Sequence, residues 1–147
     1  MNKNLYIAYG SNINTNQMAY RCPDAIVVGK TYIENYALVF RGINENAVAN
    51  IEYCYGNKVP AVVWHISHND EHNLDRFEGY PRTYTKEYFE VKINGKYKEV
   101  MAYVMAQKRP LGIPSRIYCK KILDGYKTFG LDDQYLKDAL LGSYQQY

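Results

Sequence analysis

The sequence predicts an α+β fold: a small, mostly antiparallel sheet that can close into a barrel, with helices at its flanks. Three observations lead there. Strand-like segments fill the first 105 residues, with only one clear helix among them. Two alternating segments flank Asn94-Gly95, the strongest hairpin signal in the chain. From Ser115 onward apolar residues recur at helical spacing instead.

The first strand is Leu5 to Tyr9, apolar without alternation and therefore expected to be buried on both faces. It stops at Tyr9-Gly10-Ser11-Asn12. Asn14, Thr15 and Asn16 are candidate caps for a short helix through Met18 and Tyr20, ending before Pro23. Ala25–Val28 and Tyr36–Arg41 read as strands, and Ala47–Tyr55 as a weaker one. Gly56-Asn57 reads as a turn, followed by the apolar strand Val59–Ile66.

Ser67 with Asp70 three residues later forms a variant of the capping box and opens a helix. Leu74 and Phe77 share one of its faces, and Gly79 with Pro81 ends it. Tyr84–Ile93 alternates, with Tyr88 and Glu90 on one face and Phe89 and Val91 on the other. Lys98–Met105 returns from the hairpin. Ser115 opens a helix carrying Tyr118, Ile122 and Tyr126, which Gly130 closes. Asp132 is the expected cap of a last helix with Leu136, Leu140 and Leu141.

A chain of 147 residues, 47% hydrophobic, fits one domain spanning 1–147. The net charge of +3 comes from dispersed Lys and Arg, so no basic stripe points to nucleic acid. The N-terminal stretch lacks a long apolar region, and no segment reaches about 18 apolar residues. No membrane association and a cytoplasmic location are the expectation. Cys22, Cys54 and Cys119 are odd in number and widely spaced, unlike a disulfide framework or a zinc site. The 17 tyrosines favour strands while keeping a polar tip, so some can line a polar cleft.

Four segments could carry chemistry. At Tyr9-Gly10-Ser11-Asn12, Gly10 permits a close approach that a β-carbon would block. The loop is either an ordinary strand-to-helix turn or a backbone cradle for an anion or oxyanion. Glu78 falls in the last helical turn, where the helix dipole disfavours a carboxylate by about 0.3–1 kcal/mol. His68-Asn69-Asp70-Glu71-His72 matches the inverted zinc-peptidase pattern, but no third ligand is singled out, and a solvated helix face explains it more simply. In Pro114-Ser115-Arg116-Ile117-Tyr118, Ser115 is a cap and Tyr118 is either a packing residue or a hydroxyl at a cleft.

Taken together, Tyr6-Ile7-Ala8-Tyr9-Gly10-Ser11-Asn12, Gln17-Met18, Arg21-Cys22-Pro23, Leu74-Asp75-Arg76-Phe77-Glu78-Gly79-Tyr80-Pro81 with Tyr84, and Pro114-Ser115 with Tyr118 resemble the γ-glutamylcyclotransferase-like family. The pieces run in family order over about residues 5 to 131. The resemblance implies a small mixed, mostly antiparallel barrel-like sheet with flanking helices. It implies an enzyme that cyclises a small-molecule γ-glutamyl substrate to 5-oxoproline and releases an amine or amino acid. Glu78 takes the place of the family's catalytic glutamate. Tyr6, Ile7, Ala8, Tyr9, Gly10, Ser11 and Asn12 take the place of its substrate loop, with Tyr84 and Tyr118 at the cleft.

No metal or organic cofactor is needed for that reaction. Glu78-Gly79-Tyr80-Pro81 with Tyr84 looks closer to the branch acting on γ-glutamyl amines. Whether the loop amides hold an oxyanion or the substrate carboxylate stays open. A non-catalytic module binding a small ligand in the same cleft is the alternative.

Overall fold

Strand β1 (Asn4–Ala8) lies in the middle of the sheet in the computed structural model, which describes residues 4–43 and 45–145. It runs antiparallel to β3 (Val48–Ile66), with Leu5 opposite His65, and parallel to β5 (Lys96–Met105), with Tyr6 opposite Met101. This central position explains the lack of alternation: Ile7 and Ala8 are both buried. The strand order is β2-β3-β1-β5-β4, where β2 is Ile26–Arg41 and β4 is Tyr84–Ile93.

The hydrogen-bonded ladder is open, since β2 and β4 are its edges. Side chains nevertheless draw those edges together. Thr31 Oγ1 donates to the Lys92 carbonyl at 2.6 Å, Asn94 Nδ2 to the Val28 carbonyl at 3.4 Å, and the rings of Tyr36 and Phe89 meet edge-on. The sheet is thus curled like a barrel without a closing ladder.

Both long strands differ from the sequence expectation. Ile26–Arg41 is one strand rather than two, and Val48–Ile66 runs through Gly56-Asn57 instead of turning there. The breaker residues are absorbed as bulges. Pairing jumps between Val27 and Gly29 and again between Glu34 and Tyr36. At the second jump Asn35 takes a positive φ of 64° and its Oδ1 accepts from the Gly56 amide at 3.0 Å. Long-range pairing on either side carries the ladder across both irregularities.

The helices follow local signals more closely. A 3₁₀ turn, Ser11–Ile13, leads into α1 (Thr15–Arg21), whose cap Asn14 accepts from the Gln17 amide. Helix α2 (His68–Glu78) has the full Ser67/Asp70 capping box and ends at Gly79 in the left-handed region. The β4–β5 hairpin turns at Asn94-Gly95, both with positive φ, and β5 starts at Lys96, two residues before expected.

Helix α3 (Arg116–Phe129) is capped by Ser115 and closed by Gly130. Gly125 lets it sit against the 3₁₀ turn, because a β-carbon there would lie 2.6 Å from Ile13 Cγ2. Helix α4 (Gln134–Tyr144) packs on β2, where Tyr135 meets Tyr32. Its N-cap position is Asp133, although the Asp132 carboxylate supplies the bond to the Gln134 amide. Leu136 is buried there, whereas Leu141 is exposed, one position past the buried stripe. No helix among the described residues is long and apolar enough to cross a membrane.

Candidate active site

One cavity of about 410 Å³ opens where β1 ends. Among the elements that supply its wall, five carry residues expected from the sequence. The end of β1 and the 3₁₀ turn bring Tyr6, Tyr9, Gly10, Ser11 and Asn12. The last turn of α2 brings Glu78, the start of β4 brings Tyr84, and the first turn of α3 brings Tyr118. Residues far apart in sequence converge here because β1 is central and its C-terminal end faces the other elements. Ile7 and Ala8 do not line the cavity; they are buried within the sheet.

Gly10 is needed for closeness rather than for an unusual backbone. Its φ is negative, but a β-carbon would lie 3.1 Å from Ala49 Cβ and 3.3 Å from the Tyr118 hydroxyl. Beyond Gly10, Asn12 is buried and shared by three neighbours. Its Oδ1 accepts from Gln17 Nε2 at 3.0 Å and Arg21 Nη1 at 3.1 Å, and its Nδ2 donates to the Tyr6 hydroxyl at 3.0 Å. Gln17 Nε2 also donates to Ser11 Oγ at 2.6 Å. Helix α1 therefore fixes the loop through side chains, an arrangement that an aspartate at position 12 could not copy, lacking the donor.

Four of the five phenols on the cavity wall divide into two kinds. Tyr9 donates to the Tyr103 carbonyl at 2.6 Å and Tyr84 to the Ala49 carbonyl at 3.3 Å. The Tyr118 oxygen instead accepts from the Ala49 amide at 3.0 Å, and Tyr6 accepts from Asn12. Tyr6 and Tyr118 thus keep their hydroxyl protons for another acceptor. Burial raises the pKa of all four, and the Glu78 carboxylate raises each further, so they remain neutral donors and acceptors.

Glu78 is the unusual charge. Its carboxyl makes no side-chain hydrogen bond and no ion pair among the described residues. Burial pushes its pKa up to about 7, with the Arg21 guanidinium pulling the other way. A carboxyl that exchanges its proton near neutral pH can both accept and return one.

Several cavity residues carried no clear signal in the sequence. Arg21 donates to Asn12 and lies 4.5 Å above the Phe77 ring. Tyr103 lines the cavity and donates to Asp75 Oδ1 at 2.6 Å, one helical turn before Glu78. Arg76 and Arg109 line it as well. The His68/His72 pair lies elsewhere, on the exposed start of α2, and the Glu71 between them is bound to Lys86 Nζ at 2.6 Å. Among the described residues no cluster of His, Cys, Asp or Glu could hold a metal ion.

Comparisons with known proteins agree on one family. The family described as "Gamma-glutamyl cyclotransferase, AIG2-like" matches residues 6–126. A Mus musculus gamma-glutamylcyclotransferase is 28% identical over 141 residues, covering 89% of this chain and 74% of that protein. A solved gamma-glutamyl cyclotransferase structure superposes with a TM-score of 0.80 at 26% identity, covering 94% of this chain and 86% of that one. The crystal structure of an AIG2-like protein from Mus musculus, 20% identical, shares the fold with a TM-score of 0.64 over 75% of this chain and 82% of its own.

Proposed function

Because the chain belongs to the gamma-glutamyl cyclotransferase, AIG2-like family, we propose that it converts a γ-glutamyl compound to 5-oxoproline and releases the attached amine or amino acid. The observation that carries this reading is Glu78: a carboxyl without a side-chain partner among the described residues, tuned by burial to about 7, in a cavity ringed by neutral phenols.

The substrate's α-amine attacks its own γ-carbonyl and closes a five-membered ring. Nucleophile and electrophile are already tethered, so folding the substrate into its cyclising shape is the main task. Such orientation is worth about 7–11 kcal/mol at best. Glu78 takes a proton from the attacking nitrogen as the new C–N bond forms. It returns that proton to the leaving nitrogen as the old C–N bond breaks, so no proton is gained or lost overall. Shuttles of this kind contribute about 10²–10⁴-fold.

The tetrahedral oxyanion needs donors. The amides around Gly10 and Ser11 and the free hydroxyl protons of Tyr6 and Tyr118 are suited to it. Whichever of these donors does not serve the oxyanion can hold the substrate's α-carboxylate. Ile7 and Ala8 contribute by setting the strand from which the loop departs.

The test is 5-oxoproline release from γ-glutamyl amino acids and amines by the wild type and Glu78→Gln. Release by the wild type with a loss of at least about 10²-fold in the variant is the expected result. Release that survives in Glu78→Gln overturns the proton shuttle. Saturable binding without any release would identify a binding module instead.

A further inference from the structure

We propose that Tyr103 is a positioning residue for the reaction, holding the helix turn that carries Glu78 at a fixed distance from the loop that follows β1. This rests on the cyclotransferase reading and assigns a role to a cavity residue that the reading leaves unused.

The first observation is where the two ends of Tyr103 are bonded. Its hydroxyl donates to Asp75 Oδ1 on α2 at 2.6 Å, and its carbonyl accepts from the Tyr9 hydroxyl at 2.6 Å. Its ring meets Tyr6 edge-on at 5.9 Å and Tyr80, just past α2, at 6.5 Å. The residue is buried and lines the cavity. Tyr103 thus spans from the end of β1 to the final turn of α2. A flat ring with two side-chain torsions fixes such a span at low entropic cost.

The second observation is that Glu78 has no anchor of its own. Its carboxyl forms no side-chain hydrogen bond or ion pair among the described residues, so its backbone sets its place. Asp75 lies three residues earlier, about one helical turn away on the same face. The Asp75 carbonyl accepts from the Tyr80 amide at 2.9 Å, which closes the helix beyond Glu78. Holding Asp75 therefore holds Glu78 through hydrogen-bonded helix.

The third observation separates Tyr103 from the other phenols. Tyr6, Tyr9, Tyr84 and Tyr118 all feel the Glu78 carboxylate, and the Arg21 guanidinium acts on Glu78 as well. Tyr103 feels Asp75 instead. Burial and that carboxylate keep its phenol protonated, as a donor must be. Lys86 Nζ binds the same carboxylate at 3.0 Å, so Asp75 keeps a partner when the phenol is removed. Tyr103→Phe therefore takes away one bond without changing any charge at the site.

The experiment is a double-mutant cycle on Tyr103→Phe and Asp75→Ala, with Asp75→Asn as the conservative variant that keeps an acceptor. Thermal melts accompany kcat and KM for 5-oxoproline release from γ-glutamyl-L-alanine and γ-glutamylethylamide. The Glu78 carboxyl is titrated separately, by NMR of carboxyl-labelled glutamate in the wild type and Tyr103→Phe, with Glu78→Gln to assign its signal. We expect Tyr103→Phe to lower kcat about tenfold with KM within about twofold, as misplacement of a proton carrier predicts. In the Asp75→Ala background the same change costs less than about twofold. Asp75→Asn, which can still accept from the phenol, keeps most of the activity. The Glu78 titration moves downward in Tyr103→Phe, because a loosened turn admits water to the carboxyl. An equal loss in both backgrounds means that the Tyr103 hydroxyl acts on substrate directly, and overturns the proposal. So does an unchanged kcat or an unmoved titration. Should Asp75→Ala fail to fold, the titration of Tyr103→Phe decides. Release from neither compound by the wild type counts against the cyclotransferase reading alone. The titration then still upholds Tyr103 as the residue that positions Glu78 if it moves, and overturns that role if it does not.

Discussion

At the residue scale, the site depends on distances that single atoms set. Gly10 is the sharpest case, since a methyl group there meets Ala49 Cβ at 3.1 Å and the Tyr118 hydroxyl at 3.3 Å. Gly10→Ala is expected to displace that hydroxyl by a few tenths of an ångström. The predicted outcome is a fall in kcat/KM of about tenfold, with a stability loss of about 1 kcal/mol from overpacking. Kinetics and thermal melts on the same preparation check both. Gly142 in α4 has open space around it and no positive φ, so Gly142→Ala should instead stabilise by about 0.5–1 kcal/mol and leave turnover unchanged. Opposite signs from one chemical change would separate crowding at the cleft from glycine's general cost.

At the scale of elements, α2 has to be held against the sheet for Glu78 to face the cavity. Its cap, its left-handed Gly79 and its hydrophobic Leu74 were legible in the sequence because each is a local signal. The same holds for the Asn94-Gly95 hairpin and for Ser115 and Gly130 around α3. What fixes α2 laterally was not legible. Lys86 on β4 binds Glu71 at 2.6 Å and Asp75 at 3.0 Å, and lies 4.3 Å above the Tyr80 ring. Tyr103 on β5 completes the group through Asp75. These partners come from α2, β4 and β5, and no spacing rule links them.

The continuity of β2 and β3 was hidden for a related reason, since the stretch between Val28 and Tyr36 shows no strand pattern and Gly56-Asn57 reads as a turn, until pairing carries both strands across. Lys86→Met should leave two neighbouring carboxylates on α2 without their cation. We expect a stability loss of about 1–2 kcal/mol, since the group is only half-buried, and a fall in kcat larger than any rise in KM, because the helix that carries Glu78 loses its tether. Denaturant melts with steady-state kinetics decide this. An unchanged kcat in a destabilised protein would show that α2 is positioned by its packing alone.

At the scale of the whole molecule, the curled sheet gathers the ends of β1 and α2 and the starts of the 3₁₀ turn, β4 and α3 around one cavity. Arg21, Tyr103 and Arg109 became site residues only through that gathering, whereas the Gly10 loop and Glu78 stood out in the chain itself. The central claim is that this enclosure makes Glu78 a proton carrier near neutral pH. The sign follows from its cause. Burial disfavours the charged form, so the folded protein keeps the Glu78 proton up to about pH 7. A base must be ionised to act, so kcat/KM should rise as pH climbs through that value.

Arg21 favours the ionised form, and Arg21→Met should therefore move the rise to higher pH. The measurement that tests this most directly is the pH dependence of kcat/KM for 5-oxoproline release, wild type beside Arg21→Met. The account predicts an acid limb centred near 7 that moves upward in the variant. A limb at the ordinary carboxylate value near 4.3, or no limb at all across neutral pH, would contradict it.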